Sequence, residues 1–193
     1  MPNPAIFLDR DGVLNELVQN PDTGEFESPL SPDDTRLIAG AAAAARQLQT
    51  TGYTLFIVSN QPNHAKGKST LENLASIAKK IESDLEREQV HIARSFYCLH
   101  HPHGIVPAYT GACRCRKPSP QLIFDARDAF DVDLAQSWMI GDQDTDIACG
   151  RRAGCRTVLI LNPNSAKRRT GSETPTLTAS ELTSAAAKIL AFK

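Results

Sequence analysis

One stretch constrains this chain more than any other: Ile6-Phe7-Leu8-Asp9-Arg10-Asp11-Gly12-Val13-Leu14-Asn15. A short apolar run that breaks into Asp-x-Asp-Gly reads as a buried strand delivering two carboxylates to the rim of a sheet, with Gly12 letting the backbone turn away at once. Carboxylates two residues apart on a straight strand leave the same face. A chain that bends after Asp9 can aim them at different targets, a cation and a reacting group. A strand followed by a solvated acidic turn would be spelled the same way, because turns favour Asp and Gly, so the rest of the chain has to decide.

The remaining pattern alternates strands and helices. Ala41 to Ala45 favour a helix that has ended by Gly52, and Tyr53 to Val58 read as a second buried strand that stops at Ser59-Asn60-Gln61. Leu71, Leu74, Ile77, Ala78, Ile81 and Leu85 keep a helical period, and Ser95 to Cys98 form a further short strand. Pro120 opens a helix with Leu122, Ile123, Ala126, Ala129 and Phe130 on one face. Trp138 to Ile140 and Thr157 to Leu161 are two more strands, the first running into Gly141-Asp142-Gln143-Asp144-Thr145-Asp146 and a small-residue helix through Ala153. Ser180 is positioned to cap a last helix carrying Leu182, Ala185, Ala186, Ile189 and Leu190. Residues 16–36, rich in proline and polar groups, are expected as a loop or small hairpin beside the Asp pair, and the polar, basic stretch 162–178 as a mobile linker. This is the pattern of an α/β protein with a doubly wound parallel sheet, whose ligands bind beyond the carboxyl ends of the strands.

Composition narrows the function. With 193 residues, 41% hydrophobic and 22% charged, the chain fits a single domain over 1–193. A formal charge of −1 and the lack of a long basic run give nucleic-acid binding no support. No apolar run approaches a membrane span and no export signal is present, so a cytoplasmic protein, a monomer with no membrane partner, is expected. Three strand ends would then gather Asp9 and Asp11, Ser59 and Asn60, and Asp142 and Asp146, with Lys117 ahead of a helix. A nucleophilic carboxylate, an acid, a hard-cation site and two donors for phosphoryl oxygens are what phosphoryl transfer through an aspartyl phosphate needs. A receiver-type signalling module also presents acids, a hydroxyl and a lysine, but Asp11 argues against it: a long-lived acyl phosphate has no use for a built-in base.

Cys98, His100, Cys113 and Cys115 have the Cys3His composition of a structural zinc site, with His101 and His103 as rivals for the histidine position and free thiols as the alternative. A Cys113–Cys115 disulfide would close too strained a ring. Cys149 and Cys155 read as small buried apolar residues.

With these motifs in hand, the chain resembles the haloacid dehalogenase (HAD) superfamily phosphatases: Asp9-Arg10-Asp11-Gly12-Val13 matches the first motif, Ser59 the second, Lys117 the third and Gly141-Asp142-x-x-x-Asp146 the fourth. Asn15, Ser59-Asn60-Gln61, Cys98-x-His100 and Cys113-x-Cys115-Arg116-Lys117-Pro118 resemble the D-glycero-D-manno-heptose 1,7-bisphosphate phosphatases and their histidinol-phosphate phosphatase relatives. The resemblance implies a domain core at 5–161, followed by the linker and helix of 162–193. It also implies that Asp9 attacks phosphorus and that Asp11 protonates the leaving oxygen, then deprotonates water. It implies Mg2+ on Asp9, the Asp11 carbonyl and Asp142, with Asp146 acting on these from behind. Ser59 and Lys117 would hold the phosphoryl oxygens, and Asn60, Gln61 and Arg116 the phosphorylated sugar. Zn2+ on Cys98, His100, Cys113 and Cys115 would fold the loop 98–115, which stands in for the large cap that many relatives carry. Arg114 and Arg116 suit a second phosphate, whereas Asp22, Glu25 and Glu27 would suit histidinol phosphate. Pro62-Asn63-His64 stands where the family commonly has a small or glycine-containing stretch, and Gln143 where a basic residue is often found.

Overall fold

The computed structural model describes residues 2–192. Its main sheet is built from β1 (Ala5–Leu8), β4 (Thr54–Asn60), β5 (Ile92–Cys98), β6 (Trp138–Gly141), β7 (Arg156–Ile160) and β8 (Leu177–Ala179). All neighbours are parallel, in the order β5-β4-β1-β6-β7-β8. The chain grows outward from β1 on one side and then returns to β6 on the other, so the winding reverses between β1 and β6. A crevice at that point is where doubly wound sheets bind ligands.

Strand residues alternate between two cores, because successive side chains leave opposite faces. Ile6, Leu8, Leu55, Ile57, Ile140 and Val158 face α1 (Ala41–Thr50), α2 (Leu71–Arg87) and α5 (Leu182–Leu190). Phe7, Phe56, Val58 and Met139 face α3 (Gln121–Phe130) and α4 (Asp144–Ala153), with the Phe7 and Phe56 rings stacked at 5.4 Å. The expected doubly wound α/β architecture is therefore present. Helix α2 begins where Thr70 accepts a hydrogen bond from the Asn73 amide, and it buries the Leu74, Ile77, Ile81 and Leu85 stripe. Cys149 and Cys155 are buried, as expected. Residues 16–36 include the small antiparallel hairpin of β2 (Val18–Gln19) and β3 (Phe26–Glu27). No described helix is long and apolar enough to cross a membrane.

The segment 162–178 is not the linker its composition predicts. Residues 163–168 form a helical turn, and Leu177 opens β8, which adds a sixth strand to the sheet. Polar side chains are used here as anchors: the Arg169 guanidinium donates to the carbonyls of Asp142 (3.2 Å), Ile160 (3.4 Å) and Asn162 (3.0 Å) and to Ser165 Oγ (3.0 Å). Ser180 does not cap α5; the chain leaves β8 at Ala179 and the cap position falls on Glu181, without a side-chain bond. Arg169→Ala is expected to cost about 1–3 kcal/mol, because several half-buried acceptors lose a charged donor. It should also speed tryptic cleavage within 162–178. Chemical denaturation and limited proteolysis check the two effects.

Candidate active site

Strand β1 places Asp9 at its carboxyl end, tied to β6 by the hydrogen bond from the Asp9 amide to the Ile140 carbonyl (2.8 Å). The chain then folds back at once, with the amides of Leu14 and Asn15 both donating to the Arg10 carbonyl. Gly12 makes that turn at φ 85°, and a Cβ there would lie 2.4 Å from Asp142 Oδ2. Only glycine satisfies both the positive φ and the close approach.

Lys117 stands at the centre of the crevice. Its Nζ lies 2.8 Å from Asp9 Oδ1 and 2.7 Å from Asp146 Oδ1, and donates to the Val58 carbonyl at 2.8 Å. Burial alone would lower the lysine's pKa, but Asp146 and Asp9 outweigh it and raise it, so the ammonium stays charged. Asn60, at the end of β4, fixes this residue's backbone by accepting from the Lys117 amide (3.0 Å) and donating to its carbonyl (3.2 Å). Asp146 also accepts from the Gln143 amide at 3.0 Å, so both of its oxygens are engaged.

Asp142 is fully buried and neither carboxylate oxygen has a hydrogen-bond partner among the described residues. Burial, with the charges of Asp9 and Asp146, pushes it up to about 8. Asp9, Asp142 and Asp146 bring one oxygen each within 4.8 Å of one another. With one ammonium against three carboxylates, two negative charges stay uncompensated when all are ionised. Buried, unpartnered oxygens carrying that excess fit a hard divalent cation such as Mg2+.

Asp11 is treated differently. Its oxygens accept from Arg10 Nε (3.1 Å), an Arg10 terminal nitrogen (3.2 Å), Asn15 Nδ2 (2.9 Å) and Gln61 Nε2 (2.6 Å). Burial would raise its pKa, yet Arg10 and these donors hold it below the usual carboxylate range. Gln61 departs from its expected place against the substrate. It is 2% exposed and lies outside the cavity wall. Its amide is used up inside the site, accepting from Arg10 (2.6 Å) and donating to Asp11 and to Ser59 Oγ (3.1 Å).

Above the rim, Cys98 at the end of β5 meets the loop 98–115. The Cys98–Cys115, Cys98–Cys113 and Cys113–Cys115 sulfurs are 3.1, 3.6 and 3.6 Å apart, and His100 Nδ1 is 3.5 Å from Cys115 Sγ. Bonds of about 2.3 Å from zinc to sulfur make tetrahedron edges of about 3.8 Å, so the cluster fits Zn2+. His100 joins the thiols; His101 does not, and its Nδ1 accepts from the His103 amide at 3.1 Å. Arg116 donates to the His100 carbonyl (3.1 Å), which ties the metal loop to the active-site wall.

Comparison with known proteins agrees with this geometry. The family model described as HAD-hyrolase-like matches residues 114–185. The D-glycero-beta-D-manno-heptose-1,7-bisphosphate 7-phosphatase of Salmonella typhi is 34% identical over 161 residues, 82% of this chain and 80% of the relative. The Escherichia coli K12 protein of the same name is 34% identical over 158 residues, 82% of this chain and 78% of its own. The D,D-heptose 1,7-bisphosphate phosphatase of B. bronchiseptica, crystallised with magnesium and phosphate, superposes with a TM-score of 0.81 at 27% identity, covering 98% of this chain and 99% of that one. This chain belongs to the HAD phosphatases, in the heptose-bisphosphate phosphatase family.

Asp9, Asp11, Ser59, Asn60, Arg116 and Lys117 all line one cavity of about 640 Å3. Arg114, expected beside them, is exposed and lies outside this wall. The sequence reading missed the role of Arg10, a buried cation, although its place between two acids at the end of an apolar run was a visible signal. It also missed Lys66, Lys68 and Arg168 on the cavity mouth; nothing local marks them, since exposed cations are common. The phosphatase purified under reducing conditions is expected to carry about one zinc per chain. Cys113→Ser should lower both metal content and Tm. Metal analysis with thermal melts checks this.

Proposed function

We propose that this phosphatase removes the 7-phosphate of D-glycero-D-manno-heptose 1,7-bisphosphate, with Mg2+ as cofactor, through a phosphoryl group carried on Asp9. The placement of Lys117 between Asp9 and Asp146, beside the unpartnered Asp142, carries this reading. Asp9, Asp142 and the Asp11 carbonyl would hold Mg2+, which supplies positive charge next to the phosphoryl oxygens.

The chain's own groups provide the rest. Lys117 orients the Asp9 carboxylate for in-line attack and offsets charge on the equatorial oxygens, with Ser59 donating to the same group. The Asp9–phosphorus bond forms as the ester oxygen departs with a proton from Asp11. Asp11 then takes a proton from water as that water displaces Asp9 and releases phosphate. The four donors around Asp11 stabilise the carboxylate needed in this second half. Its acid form requires those donors to give way as the leaving oxygen arrives.

Substrate preference is supported by the cavity wall, where Lys66, Lys68, Arg116 and Arg168 surround the mouth in addition to Lys117. Glu25 and Glu27 also line it and keep histidinol phosphate as the second reading, although Glu27 is already paired with Lys68 at 2.5 Å. Asp22 is exposed in the hairpin turn and does not line the cavity. The unpaired thiols of all five cysteines fit a reducing cytoplasm, where we place this enzyme as a single-domain monomer. Steady-state assays with Mg2+ are expected to give a kcat/KM at least about tenfold higher for the heptose bisphosphate than for histidinol phosphate, the difference one charged contact makes. A preference for histidinol phosphate would overturn the substrate assignment.

A further inference from the structure

Three loops bring cations to the cavity mouth, and one of them is the segment whose composition reads as a linker. The helical turn 163–168 is fastened at both ends to the catalytic rim. At its start, Asn162 Nδ2 donates to the Gly12 carbonyl at 3.0 Å; at its end, Arg169 donates to the Asp142 carbonyl at 3.2 Å. Just beyond, Asp144 Oδ2 accepts from the Thr170 amide (2.6 Å), the Thr170 hydroxyl (3.0 Å) and the Gly171 amide (3.2 Å). Arg168 lies between these anchors and lines the cavity.

The charge on the mouth is only partly cancelled. Lys68 is paired with Glu27, and Glu25 lines the same cavity as a single further acid, whereas Lys66, Arg116 and Arg168 form no ion pair among the described residues. Arg116 gives one N–H to the His100 carbonyl, which aims the guanidinium without neutralising it. The β6–α4 turn and the start of α4 line the cavity only with the uncharged Gln143 and Thr145 and with Asp146, so the anchored Arg168 is the cation supplied from the far side of the sheet. The Lys66 ammonium is lowered by burial and then by Lys68, Arg116 and Arg168, which places these charges near one another. Like charges held together around an open cavity repel in the free protein and are relieved by a bound anion.

From this arrangement we infer that Arg168 is a specificity-determining residue: with Lys66 and Arg116 it forms a subsite for a second anionic group, remote from the phosphate being transferred. The inference rests on the sugar-bisphosphate reading and adds to it which loop selects the bisphosphate. Lys117 is committed to the transferring phosphate, so the remote group is held by cations that take no part in bond making. Their energy therefore appears in binding.

Heptose 1,7-bisphosphate and heptose 7-phosphate differ only in this second anion, so the pair isolates the effect. In the full-length enzyme, Arg168→Gln is expected to raise KM about tenfold more for the bisphosphate than for the monophosphate, Arg168→Glu to raise it further, and Arg168→Lys to recover part of the loss. The wild-type preference should also weaken as ionic strength rises. Equal KM changes on the two substrates, or none, would overturn the role of Arg168. If the wild-type enzyme showed no preference for the bisphosphate, the substrate reading itself would fail, a result distinct from an unresponsive Arg168.

Discussion

The structure depends on a buried ammonium set among carboxylates. Lys117 touches both Asp9 and Asp146, and Asp142 shares the pocket. Burying ions is costly, and a buried pair does not by itself stabilise a fold relative to well-packed apolar residues. The arrangement is better understood as a charge trap. One ammonium cannot compensate three carboxylates, so the donor set fits a divalent cation, which would also offset the charge of an incoming phosphate. The surrounding fold keeps this costly cluster assembled: β1 and β6 are joined by main-chain bonds, Asn60 grips the Lys117 backbone, and Gly12 leaves room for Asp142.

Much of this was legible in the chain, for physical reasons. Apolar runs that end abruptly in Asp, Ser or Asn mark strand ends in a sheet buried on both faces, and the doubly wound topology then brings those ends together. The Asp9, Ser59 and Asp142 positions follow from that rule, and Lys117 from its place just ahead of the helix that Pro120 opens. The Cys and His spacing limits the metal loop to a few ligand sets, and the fold selects His100 among them. Side-chain bonds within the site are less accessible, because they depend on rotamers and not on spacing. Gln61 follows Asn60 directly, yet one points to Lys117's backbone and the other into the Asp11 network.

The 162–178 segment shows the opposite failure. Its polar and proline-containing composition resembles that of disordered linkers. Order comes from a few long-range bonds, chiefly those of Arg169 and Asp144, which have no periodic signature. Those bonds let a strand of three residues, β8, join the sheet, and they carry one cationic side chain, Arg168, to the cavity. Arg169, one residue of a basic stretch that reads as a linker, is a structural anchor in the fold.

On the proposed mechanism, Asp9 carries the phosphoryl group between two in-line displacements. The most direct measurement is the stereochemical course at phosphorus, using a substrate made chiral at the transferred phosphate with oxygen isotopes. Two successive inversions predict net retention. Net inversion would show that water attacks the ester directly and would contradict the role given to Asp9.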